Sequence, residues 1–129
     1  MKKGDTFNHN FTVTKDILDG FMKLFKDKNP LHVDKAFAKE KGFLEEVTHG
    51  NILTGFLSYF IGECLPIKNV MIYAEEIKFQ GPVYLNETLN FSAEVSGVFE
   101  SVNVIEITFY FNKLNNSKVA QGKIQIGVI

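Results

Sequence analysis

The spacing of apolar residues changes character midway along the chain. Between Val13 and Pro66 apolar positions recur at three- and four-residue intervals; from Val70 onward they alternate. The first period belongs to amphipathic helices and the second to half-buried strands. Ahead of both, Phe7, Phe11 and Val13 set one face of a short opening strand. Thr14 then offers an N-cap, and Ile17, Leu18, Phe21, Met22, Leu24 and Phe25 form one helical stripe. That helix should stop near Asp27, because Pro30 disfavours helix at the residue before it. Asp34 to Lys41 predicts a second short helix with Gly42 as its C-terminal cap. Thr48-His49-Gly50-Asn51 opens a third, running to about Leu65 and stopped by Pro66. Its residues are apolar nearly all round, which predicts burial on every side. Gly55 and Gly62 share one face of it, where close approach of a sheet is expected.

Four strands should follow. Val70 to Phe79 leads into the turn Gln80-Gly81-Pro82, and Thr88 to Val98 alternates through Leu89, Phe91, Ala93 and Val95, with a bulge expected at Gly97. Val102 to Leu114 puts Ile105, Ile107, Phe109 and Phe111 on one face, and the last strand turns Ala120, Gly122, Ile124, Ile126 and Val128 inward. Helices followed by an antiparallel meander predict an α+β fold, with the sheet wrapped around the apolar helix. No repeat, linker or composition shift divides the chain, so residues 1–129 are expected to form one domain.

Composition narrows the function classes. Apolar residues make up 45% and charged residues 22%, the balance of an ordinary globular domain. The net charge of -1 gives no electrostatic case for a nucleic-acid binder or a polybasic membrane anchor. Every cation is a lysine, so any phosphate must be held by lysine or backbone N–H rather than by a bidentate guanidinium. The single cysteine, Cys64, rules out an internal disulfide and a cysteine-rich zinc site, and reads as core filling. No apolar leader follows Met1-Lys2-Lys3, and the apolar run from Ile52 to Leu65 is too short to span a bilayer. The expected setting is cytoplasmic.

Two segments carry candidate chemistry. Asp27-Lys28-Asn29-Pro30-Leu31-His32 reads as a loop stiffened by Pro30. Such a loop can hold a carboxylate and an imidazole at a fixed separation, where together they activate one water. Asn29 would bind the same water or brace the loop. Read as structure alone, these residues make a helix-stop turn with Asp27 or Asn29 bonding to its own backbone. At the second segment, Thr48-His49-Gly50-Asn51, free backbone N–H groups and a positive dipole end gather at a helix N-terminus. Gly50, lacking a side chain, lets a ligand carbonyl reach an N–H, which would make an oxyanion hole. Read as structure alone, Thr48 is the N-cap. Ser58, further along this helix, either bonds back to a carbonyl or contacts substrate, and no nucleophile elbow surrounds it. His32 and Asp34 lack a third cluster that would make a metal site, and none is expected.

In order and spacing, Asp27-Lys28-Asn29-Pro30-Leu31-His32 followed by His49-Gly50 and a long apolar helix carrying Ser58 resembles the MaoC-like dehydratases. Within them it is most similar to the R-specific enoyl-CoA hydratases. Gln80-Gly81-Pro82-Val83 and the phrase from Leu85 to Val95 resemble that family's strand pair. The resemblance implies a hot-dog fold and reversible hydration of a trans-2-enoyl-CoA to the (R)-3-hydroxyacyl-CoA. It implies Asp27 and His32 as the catalytic pair and the Gly50 N–H as the oxyanion donor, with Asn29, His49 and Ser58 in support. It implies no cofactor beyond the CoA or acyl-carrier thioester of the substrate itself, and a homodimer. The chain departs from the family at Phe25-Lys26, where a small pair is common, and at Asn86-Glu87, where Gly-Asp is common. Two other functions suit the same fold: an acyl-CoA thioesterase and a non-catalytic acyl-thioester-binding protein. Thioesterases of this fold place their carboxylate elsewhere, and joint retention of Asp27, His32 and Gly50 weighs against a mere binder.

Overall fold

A computed structural model describes residues 1–129. The elements run β1 (Thr6–Thr12), α1 (Lys15–Phe25), α2 (Pro30–Val33), α3 (Lys35–Glu40), α4 (Asn51–Tyr59), β2 (Val70–Phe79), β3 (Thr88–Phe99), β4 (Val104–Lys113) and β5 (Lys118–Val128). The strands form one antiparallel sheet in the order β1-β3-β4-β5-β2. Its inner face carries the alternating residues expected from the sequence: Leu89, Phe91, Ala93 and Val95 of β3, Ile105 to Phe111 of β4, and Ile124 and Ile126 of β5 are all buried. Ile52, Leu53 and Leu57 of α4 pack on that face, as do Phe60 and Ile61 of the π-helical turn Phe60–Cys64 that prolongs it. The α+β arrangement of a sheet curled on one apolar helix therefore holds.

Local details follow the side chains. The β3–β4 register shifts between Val95 and Gly97, where the bulge was expected. Asn86 adopts φ 67°, a left-handed conformation that asparagine tolerates better than most residues. The turn is thus built although the family's glycine is absent. Glu87 fastens it: its Oε1 accepts from the Tyr84 N–H at 2.8 Å and from Lys113 Nζ at 3.1 Å. Gly122 is required by close approach, since a Cβ there would run into the Glu76 carbonyl oxygen of β2.

Four expectations need correction. Thr48 does not cap α4; its hydroxyl and its N–H both donate to the Val83 carbonyl, at 2.7 and 2.8 Å, and Gly50 takes the cap position without any side-chain bond. The apolar helix is not covered on every side. Asn51, Gly55, Ser58, Tyr59, Gly62 and Glu63 are exposed, and nothing lies within 4 Å of a Cβ placed on Gly55 or Gly62. The sheet curls around one side of the helix only, so the glycine face meets nothing in the protomer. The apolar stripe of α1 likewise stays open, with no residue of that helix buried and Leu24 and Phe25 70% exposed or more. The Asn29–His32 segment is not an irregular loop but enters the single helical turn α2.

Candidate active site

The first candidate segment is held by its own side chains. Lys26, at φ 63°, closes α1 with its N–H on the Met22 carbonyl at 2.9 Å. Asp27 Oδ1 then accepts the Asn29 N–H at 3.2 Å. Asn29 caps α2, its Oδ1 accepting the Leu31 N–H at 3.1 Å, with Pro30 at the first helical position, where its missing N–H costs nothing. These local bonds are those of a helix-stop turn in which Asp27 and Asn29 bond to nearby backbone, and they set the separation of Asp27 and His32.

The second segment is stitched onto the first. The Val47 N–H donates to the Leu31 carbonyl at 3.0 Å, and His32 Nδ1 lies 2.6 Å from the Val47 carbonyl. In the other direction, His49 Nε2 lies 2.7 Å from the Asp27 carbonyl. A carbonyl only accepts, so each of these nitrogens carries a proton and donates it. The tautomers follow. His32 is protonated at Nδ1, which frees Nε2, and Nε2 faces Asp27 Oδ2 at 3.8 Å. That gap is too long for a direct hydrogen bond and suits an oxygen held between the two. The His32 and His49 rings stack at 3.8 Å with 26° between their planes, and Phe21 packs 4.7 Å from His49 on another side. His49 is buried, and its Nδ1 has no partner.

Gly50 is exposed, and its N–H meets no acceptor in the chain. The Phe79 ring covers one side of it, 3.0 Å from where a Cβ would stand. Two cavities meet here, with Asn51 on the wall of both. The larger, about 940 Å³, runs between α1, α4 and β2 and is walled by Phe21, Phe25, Ile52, Phe56 and Ile77, with Asp27 among its few polar groups. The smaller, about 360 Å³, holds His32, His49, Gly50 and Phe79.

Asp27, His32 and His49 each offer a ligand atom within 4.8 Å of the others. A metal sits in the plane of each imidazole that binds it, and two rings stacked 3.8 Å apart and 26° from parallel match shared ligation poorly. Five of the six candidate residues converge: Asp27, Asn29, His32, His49 and Gly50. Ser58 does not. It lies on the exposed face of α4, its hydroxyl makes no hydrogen bond, and it lines neither cavity. Sequence reasoning missed the Val47 carbonyl, a backbone group that no residue type announces, and Phe79, which read only as a strand end.

The chain and its fold have known relatives. The sequence pattern of the MaoC like domain matches residues 2–113. The (R)-specific enoyl-CoA hydratase of Aeromonas caviae is 31% identical over 88 residues, which is 68% of this chain and 66% of that protein. The enzyme of the same name from Rhodospirillum rubrum is 28% identical over 98 residues, 76% of this chain and 68% of that protein. The chain thus spans about two thirds of the length of the curated relatives it matches. The solved structure of the (R)-hydratase from A. caviae superposes with a TM-score of 0.90 at 22% identity, covering 100% of this chain and 98% of that one. The fold is the hot-dog fold.

Proposed function

The chain belongs to the family of MaoC-like domains, and from that premise we propose that it is a hydro-lyase, adding water reversibly to a trans-2-enoyl thioester to give the (R)-3-hydroxyacyl thioester. The observation that carries this reading is the facing pair, Asp27 Oδ2 and His32 Nε2 at 3.8 Å, with the other imidazole nitrogen committed to Val47. A water between them is oriented by both. Its oxygen bonds to the β carbon while the pair takes one of its protons, and the pair returns a proton to the α carbon, which restores the site. As the β carbon is attacked, negative charge builds on the thioester oxygen. The free Gly50 N–H is the donor for that charge, at the positive end of α4.

Asn29 holds the turn that spaces the pair, and His49 props the His32 ring. The apolar cleft takes the acyl chain, and the carrier is CoA or an acyl carrier protein, its phosphates met by lysines and backbone. No cofactor enters this chemistry. The working form is a homodimer, supported by Tyr59 at 49% exposure and by bare Gly62 on the open face of α4, outside the acyl cleft. Ser58 belongs to that open face. No helix is long and apolar enough to cross a membrane; we place the reaction in the cytoplasm. The test is the conjugated-enoyl absorbance of crotonyl thioesters on both carriers, with a thiol trap present. Loss of absorbance without free thiol, with (R) product, supports the reading. Release of thiol replaces it with a thioesterase, and silence on every thioester tried removes it.

A further inference from the structure

The cleft between α1, α4 and β2 contains a charge that the hydration chemistry does not use. Its charged lining residues are Asp27 and Glu75, both acidic; every other lining side chain is neutral. Glu75 stands opposite Ile124 in the β2–β5 register. Directly paired residues share a face of the sheet, and Ile124 is fully buried on the inner face. Glu75 therefore points inward, next to Ile77 on the same wall, whereas its neighbours Glu76 and Lys78 open onto the outer face with Lys123. It forms no ion pair or hydrogen bond with any residue of the chain. Glu75 is exposed to solvent at the edge of the open cleft, where an unpaired carboxylate leaves neutral acyl chains undisturbed and repels a second anion through a field that salt can screen.

We propose that Glu75 is a specificity-determining residue that makes the cleft refuse acyl groups ending in a second carboxylate. This rests on the cleft being the acyl site. It also gives the inward charge a role beyond the one edge strands often give such residues, the blocking of strand-to-strand association.

The test compares two trans-2-enoyl thioesters of equal length, one ending in methyl and one in carboxylate, on the wild-type chain, Glu75→Gln and Glu75→Asp. The ratio of kcat/KM for the carboxylate-ended over the methyl-ended substrate should rise about tenfold in Glu75→Gln, equivalent to about 1.4 kcal/mol, and stay low in Glu75→Asp. In the wild type the same ratio should climb as ionic strength goes from about 20 mM to about 500 mM, because exposed charges are screened. A ratio that is unchanged in Glu75→Gln overturns the assignment, and altered aggregation without altered selectivity assigns Glu75 to edge protection instead. Calorimetric binding of the saturated thioesters, methyl-ended and carboxylate-ended, needs no turnover. A wild type that binds but does not hydrate either substrate defeats the hydratase reading alone, and the affinity ratio in Glu75→Gln then decides the role of Glu75; binding of neither thioester overturns both.

Discussion

Replacing Gly50 by proline deletes one backbone N–H, puts a ring methylene in its place and restricts the backbone of His49 before it. Gly50 has φ −56°, inside the range that the pyrrolidine ring imposes, and it sits at the mouth of α4, where proline is tolerated. Its N–H bonds to nothing in the chain, so no internal hydrogen bond is lost. The added Cβ meets the Phe79 ring at 3.0 Å, but that ring is 51% exposed and can move aside. Gly50→Ala carries the same Cβ and keeps the N–H, so it controls for the Phe79 contact, and an unchanged KM in Gly50→Pro separates loss of the donor from a clash of the ring with substrate. Less unfolded-state freedom favours both by about 0.4–1 kcal/mol, against a similar contact cost, so both should melt close to the wild type. An oxyanion donor contributes about 2.7–4 kcal/mol in the best-studied case, so kcat of Gly50→Pro should fall about 10²–10³-fold below that of Gly50→Ala. The assay is hydration of a crotonyl thioester at saturation beside thermal melts of each variant. If a folded Gly50→Pro turns over within a few-fold of Gly50→Ala, the Gly50 N–H is not the oxyanion donor.

Other consequences follow from the packing. His49→Phe keeps a ring against His32 and removes the unpaired buried Nδ1, but takes the donor from the Asp27 carbonyl, so urea unfolding should show a loss of about 1 kcal/mol or less and kcat should fall more than KM rises; wild-type kinetics in that variant would remove His49 as a prop for the His32 ring. Light scattering should return twice the chain mass for the wild type and a smaller mass for Tyr59→Glu, which puts a charge on the open face of α4. A monomeric wild type contradicts the dimer.

The strands were legible because their period is local. β3 and β4 alternate cleanly and their inward residues are the ones found buried, whereas β5 keeps Ala120, Ile124 and Ile126 buried but also buries Val119 and Gly127 and leaves Gly122 and Val128 only half-buried. The bulge at Gly97 was legible for the same reason, as glycine weakens a strand where nothing else marks it. The covering of the helices was not. Periodicity says that a face is apolar and is silent about what lies on it, so the stripe of α1 and the glycine face of α4 read as core when they stand open in the protomer. Thr48 misled because its partner, the Val83 carbonyl, is 35 residues away and outcompetes the local cap. The candidate segment was readable as residue types, yet its tautomers depend on Val47 and Asp27 carbonyls that no side chain signals. Glu75 stayed hidden because Glu75-Glu76 breaks the alternation and the β2 register shifts between Ile72 and Ala74.

The central claim is that Asp27 and His32 act together on one water. The most direct test is single-turnover hydration of a trans-2-enoyl thioester by the wild type, Asp27→Asn, His32→Gln and the double variant. Each single change should lower the rate by about 10²–10⁴, and the double variant should fall little further, because either loss already disables the shared water. A single variant that keeps wild-type turnover, or losses that multiply fully in the double variant, would contradict the account.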